Sequence, residues 1–269
     1  MIIQNQRTAL FKLAGLAFAA ALNTPEAQAQ AAPQEGWQFT AGGAAFTHPE
    51  YPGSGATKTE VLPLLGASYG RYFFGGMPGS GVPVGLGAYL IQDEHWQAGV
   101  ALGGGFSKLR KESDSPRLRG LGDIDNTVRA SIFGAYTMDW LSVHSALSAD
   151  IGGKNQGLQG SLDVEGKYKL TDELTLSAGP GLGWGDSKYM QTVYGVDAGQ
   201  SARSGLRQYT AGGGINTVRF SLGADYRLSR NWNLGTRVSA AKLRGDAADS
   251  PITEKTSQTT VAVFAGYRW

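Results

Sequence analysis

Long stretches of this chain alternate apolar and polar residues with period two, and no other pattern constrains its fold more. In "LSVHSALSADI" (141–151), Leu141, Val143, Leu147, Ala149 and Ile151 share one face, and Ser142, His144, Ser148 and Asp150 the other. "LQGSLDVEGKYKL" (158–170) sets Leu158, Leu162, Val164, Tyr168 and Leu170 against Gln159, Ser161, Asp163, Glu165, Lys167 and Lys169. "VRFSLGADYRL" (218–228) sets Val218, Phe220, Leu222, Tyr226 and Leu228 against Arg219, Ser221, Asp225 and Arg227. Such alternation predicts half-buried strands rather than helices. Strands of soluble sheets average 5–6 residues, whereas these runs reach the ~9–11 residues of a tilted strand crossing a bilayer. The fold class expected is an all-β antiparallel transmembrane β-barrel, apolar face to lipid and polar face to the lumen.

The connections fit that reading. Very short turns stand at 92–96, 137–140, 170–174 and 228–232, and longer links at 108–125, 186–210 and 245–255, with a shorter one at 152–157. Short periplasmic turns alternating with longer external loops are the habit of outer-membrane barrels. Trp96, Tyr136, Trp140, Tyr168, Tyr226, Trp232, Tyr267 and Trp269 all fall near short turns or the C-terminus. They would make one aromatic ring at a headgroup level, with Trp96, Trp140, Trp232, Tyr267 and Trp269 as its anchors. Twelve strands are expected, near 36–47, 60–69, 71–77, 82–92, 96–107, 126–137, 141–151, 157–170, 173–185, 212–228, 231–244 and 256–269. The segment 71–77 is short and is kept because an even count places both chain ends on the periplasmic side. The last run, "VAVFAGYRW", is the expected closing strand, with Val261, Val263, Ala265, Tyr267 and Trp269 toward lipid.

The first 29 residues read as a cleaved secretory signal peptide: Arg7 and Lys12, an apolar run from Leu13 to Leu22, then small residues with cleavage near Ala29. Residues 30–269 would then form a single barrel domain of the outer membrane of a Gram-negative bacterium. Composition excludes several classes. None of the 269 residues is cysteine, so disulfide frameworks and thiolate chemistry are absent. A formal charge of +2 gives no field for nucleic acid. The three histidines, His48, His95 and His144, have no metal-ligand spacing. Ser142, His144 and Asp150 share a face, but six residues of strand separate His144 from Asp150, about 20 Å, too far for a triad. Neither an enzyme nor a cofactor is expected.

The lumen face carries charge instead. Asp150, Asp163 and Glu165 lie on 141–151 and 157–170, and Arg219 and Arg237 on 212–228 and 231–244. Between these walls, 173–185 points Thr175, Ser177, Gly179, Gly181 and Gly183 inward. Long arginines can reach across such a strand, giving either a salt-bridge network that fills the lumen or the lining of a narrow pore with a transverse field.

Three loop stretches, "THPEYPGSG" (47–55), "TVYGVDAGQSARSGLRQY" (192–209) and "LRGDAADSPITEK" (243–255), resemble the MipA/OmpV family of outer-membrane proteins. The resemblance rests on His48 and Pro49, on Tyr194, Gly195 and Val196, on Ala202, Arg203, Ser204, Gly205 and Leu206, and on Asp249, Ser250 and Pro251. It implies a scaffold linking the outer membrane to murein-remodelling enzymes, a lytic transglycosylase and a murein synthase. Other members of the family are described as porin-like, so a small channel is the alternative. The partners expected are therefore outer-membrane lipid, the barrel-assembly machinery during biogenesis and these murein enzymes.

Overall fold

The computed structural model describes residues 36–77, 82–105 and 108–269; the expected signal peptide lies outside them. Twelve strands follow one another: β1 (Trp37–Pro49), β2 (Thr57–Tyr69), β3 (Tyr72–Met77), β4 (Val82–Gln92), β5 (Trp96–Gly103), β6 (Arg129–Thr137), β7 (Leu141–Asp150), β8 (Leu158–Lys169), β9 (Leu174–Gly185), β10 (Gly214–Arg227), β11 (Trp232–Leu243) and β12 (Ser257–Arg268). Each pairs antiparallel with its neighbours in sequence, and β12 pairs with β1, so the sheet is a closed barrel. Closure leaves no sheet edge in lipid, where an unpaired backbone group costs several kcal/mol.

The alternation sets the faces. Val61, Leu65, Leu86, Ile132, Phe220, Leu222 and Val263 project from the outer wall, Val61 with 69% of its surface exposed. β3 does form, although it pairs with β2 at only three positions, Ala67–Tyr69 with Tyr72–Phe74. Relative to their patterns β5 and β6 lose the most at one end, and β2 begins earlier, at Thr57 rather than 60. β5 ends at Gly103 and β6 begins at Arg129, and just outside both ends the Gly105 N–H donates to the Asn126 side chain (2.9 Å).

The interior has two unlike halves. One side is mainly apolar: Phe73, Val82, Ala101, Phe133 and Ala146 form one buried cluster with Tyr89 against it, and Ala44, Phe46, Ala262 and Phe264 form another, with His48 and Lys58 reaching Glu60 at its loop end (3.5 and 2.9 Å). Phe46 is 3% and Phe264 5% exposed. Burying each such ring favours the closed state by about 1.5–3 kcal/mol. The strands β7–β11 line the other side with polar and charged groups.

The loop end is covered. Helices α1 (Ser187–Tyr194), α2 (Ala198–Ser204) and α3 (Gly245–Asp249), with two 3-10 turns at Glu112–Asp114 and Pro116–Leu118, fold over the mouth opposite the short turns. Asp186 and Asp197 cap α1 and α2 by accepting from the Tyr189 and Gln200 N–H groups.

Candidate functional site

The ladder brings Asp163 of β8, Gly181 of β9 and Arg219 of β10 into one row across the sheet. Because Gly181 has no side chain, the Arg219 guanidinium crosses it. It donates from Nε to Asp163 Oδ1 at 2.8 Å and from Nη2 to Oδ2 at 2.5 Å. A Cβ on Gly181 would run into Asp163 Oδ1 and Arg219 Nε. The fork-on-fork geometry fixes both direction and distance, which a lysine could not do.

A second group sits nearer the short turns. Arg237 of β11 lies over Gly223 of β10, where a Cβ would meet its guanidinium and the Ser177 hydroxyl. Arg237 Nη2 donates to Asp225 Oδ2 at 2.8 Å, and its Nε stands 3.9 Å from Glu165 Oε1. Ser177 donates to the same Glu165 oxygen at 2.8 Å. Asp225 is thus Arg237's nearest carboxylate. Its position on the inward face, six residues after Arg219, was the sequence signal for it.

Asp150 stands apart from this network. It accepts from the Thr127 hydroxyl (2.5 Å) and from the Gly152 and Gln156 N–H groups (2.9 and 2.8 Å), closing the loop after β7. Of the five lumen charges expected to act together, the ladder joins Asp163 with Arg219 and gathers Glu165 with Arg237. Ser142 and His144 face inward opposite Glu165 and Asp163 in the ladder, and Asp150 lies at the far end of the strand.

The cap is built from the motif residues of the loops. Tyr194 packs with Met190, Val193, Ala211, Leu243 and Ala247, while Val196 packs with Tyr51, Leu118, Leu121 and Ile252. Ser250 donates to the Tyr194 carbonyl at 2.6 Å, and Tyr51 to Glu254 Oε2 at 2.9 Å. Burial pushes the Tyr194 and Tyr51 phenols above their ordinary pKa, with Glu254 adding to the rise at Tyr51. Arg110 is buried among these loops and donates to the Val193 carbonyl at 3.0 Å. Burial lowers its pKa to about 10, still well above neutrality. Replacing Arg110 by Ala removes the donor that Val193 uses and empties its volume. A loss of about 2 kcal/mol of cap stability is expected, so trypsin should cleave after Arg203 or Arg207 about 30-fold faster. An unchanged cleavage rate would show that Arg110 does not hold the cap.

The aromatic residues expected as anchors gather at the short-turn end. Rings run in contact from Tyr69 through Trp37, Phe39, Trp269 and Tyr267 to Trp232, with centroids 5.3–6.0 Å apart. That chain crosses the β1–β12 seam. Trp96 meets Tyr136 at 4.7 Å on another sector, and Trp140 is exposed beside the β6–β7 turn.

A family model described as MltA-interacting protein MipA matches residues 41–269. The MltA-interacting protein of Escherichia coli (strain K12) is 25% identical over 160 residues, which are 59% of this chain and 63% of that relative. The chain therefore spans just under two thirds of the relative it matches. Among solved structures it is similar to the outer membrane channel DcaP of Acinetobacter baumannii, with 10% identity, 87% of this chain, 96% of the other and a TM-score of 0.41. A Pseudomonas aeruginosa FadL homologue is similar too, with 13% identity, 92% of this chain, 93% of the other and a TM-score of 0.41.

Proposed function

The chain belongs to the family of the MltA-interacting protein MipA, and from that premise we propose that it is an outer-membrane scaffold. It holds murein-remodelling enzymes, a lytic transglycosylase first among them, at the inner surface of the membrane. The short turns and the aromatic ring face the periplasm, and the capped loops face outward.

The observation that carries the reading is the packed cap over the loop end of the barrel. A solute pathway needs a water-lined route from mouth to mouth. Here Leu118, Met190 and Ile252 are fully buried in the cap, aromatic rings pack one half of the interior, and the Arg219–Asp163 pair lies along the other wall from β8 to β10. Such a capped barrel suits a rigid post on which other proteins assemble. Ionic lumen groups then serve the barrel's own stability.

The test pairs two measurements on the mature protein in detergent. The protein should retain a purified lytic murein transglycosylase from the same bacterium, and in a planar bilayer it should show no steady conductance. Steady single-channel steps without transglycosylase retention would favour the channel reading and overturn this one.

A further inference from the structure

The periplasmic rim is divided by charge, and its two arcs are rigid. The β8–β9 turn, the β10–β11 turn and the end of β12 are neighbours around the barrel. They carry Lys169, Arg227, Arg230 and Arg268 against Asp172 and Glu173, with Lys169 Nζ 3.4 Å from Asp172 Oδ1. The β4–β5 and β6–β7 turns carry Asp93, Glu94 and Asp139 with no lysine or arginine.

Hydrogen bonds between turns hold each arc in shape. Arg227 donates from Nη2 to the Asp172 carbonyl (2.6 Å) and from its backbone N–H to the Glu173 carbonyl (2.8 Å). Asn231 donates to the Arg268 carbonyl at 2.6 Å, and the Arg268 N–H returns to the Asn231 carbonyl at 2.9 Å. On the acidic side, the Thr137 N–H donates to the His95 carbonyl at 2.8 Å, and His95 Nδ1 donates to the Thr137 carbonyl at 3.1 Å. Asp93 accepts from the N–H groups of His95 and Trp96 (3.0 and 2.7 Å), which hold its carboxyl below its ordinary pKa and keep it charged.

We infer that the basic arc, from Lys169 through Arg227 and Arg230 to Arg268, is the docking surface for an acidic patch on the periplasmic protein partner. The inference rests on the scaffold reading and adds to it the face and sign of the contact. The acidic arc sets orientation, because a partner turned by half a revolution would bring its acidic patch against Asp93, Glu94 and Asp139. Preordered turns spare the partner the cost of fixing them. Exposed charges of this kind act over about 10 Å at 0.1 M salt and about 3 Å at 1 M, and they steer encounter and register.

The experiment uses the mature barrel in detergent and a purified lytic murein transglycosylase, with affinity measured at low and high salt. Purified murein sacculi serve as a second probe. Lys169→Glu with Arg230→Glu reverses the arc without touching the inter-turn bonds of Arg227 and Asn231. Retention of the heat-dependent gel shift establishes that this variant is folded. The expected result is at least ~10-fold weaker transglycosylase binding, a loss of salt sensitivity, and full binding by Glu94→Lys with Asp139→Lys. Wild-type binding that survives the basic reversal overturns the inference and leaves the scaffold reading intact. No binding by the wild type overturns both. Sacculus binding lost on reversal, with transglycosylase binding unchanged, assigns the arc to murein carboxylates and overturns the protein partner.

Discussion

Deleting Tyr267, Arg268 and Trp269 is expected to lower the yield of closed barrel at least about tenfold, read as the fraction of protein whose gel mobility shifts on boiling. These residues are one side of the seam. Trp269 and Phe39 exchange both backbone hydrogen bonds, at 3.1 Å each, and Arg268 and Tyr267 stand opposite Thr40 and Ala41. Tyr267 also stands opposite Trp232 in the β11 ladder, so the deletion shortens both edges of β12. The side chain of Arg268 donates to Gln38 Oε1, a further tie across the seam. Every backbone group left bare at membrane depth costs several kcal/mol, and each 1.4 kcal/mol is a factor of ten in an equilibrium. Normal yield from the truncated chain would show that the seam closes through its upper half alone.

Arg219→Ala is expected to destabilise the folded barrel by about 3 kcal/mol, read as a lower melting temperature in detergent. Removing one partner of a buried pair leaves the other charged and unpaired, a cost of roughly 3–5 kcal/mol. The lower end applies because each side chain of the pair keeps 22–23% of its surface accessible. Asp163→Ala should cost a similar amount. The double variant should cost clearly less than the two together, because it leaves neither charge stranded. If the two losses simply add, Arg219 and Asp163 do not act as a pair.

How much of this was readable beforehand depends on what alternation encodes. It encodes the face of a residue, and wherever one face was apolar and the other polar, the strands and their inward residues emerged together, as in β8, β9 and β10. It does not encode height along the barrel. Arg237 is therefore closest to Asp225 on the adjacent strand, with Glu165 at 3.9 Å, while Asp150 on the shared face bonds at the loop end of its strand, to Thr127 before β6 and to its own loop. The apolar half of the interior was silent for a different reason. In "SIFGAY" (131–136) Ile132 points outward and Phe133 inward, so both faces are apolar and the contrast vanishes. The cap was hidden because its helices run eight residues or fewer, too short for a 3.6-residue period to establish itself. Of the motif residues noticed by resemblance, Tyr194, Val196 and Ser250 are buried in the cap while Ala202, Arg203, Gly205 and Asp249 stay exposed, a division that belongs to tertiary structure alone.

The strand with almost no inward side chains gives the molecule a latent engineering use. Gly181 and Gly183 leave a furrow along β9 that the Arg219 guanidinium of β10 crosses, and Gly223 of β10 leaves one for Arg237 of β11. Shaving those arginines and trimming the loops above would widen a track whose floor is already bare backbone, so a sensing nanopore could be cut from this barrel by subtraction. The furrow itself would need no redesign, and the stability lost with each arginine sets how much can be removed before the wall gives way.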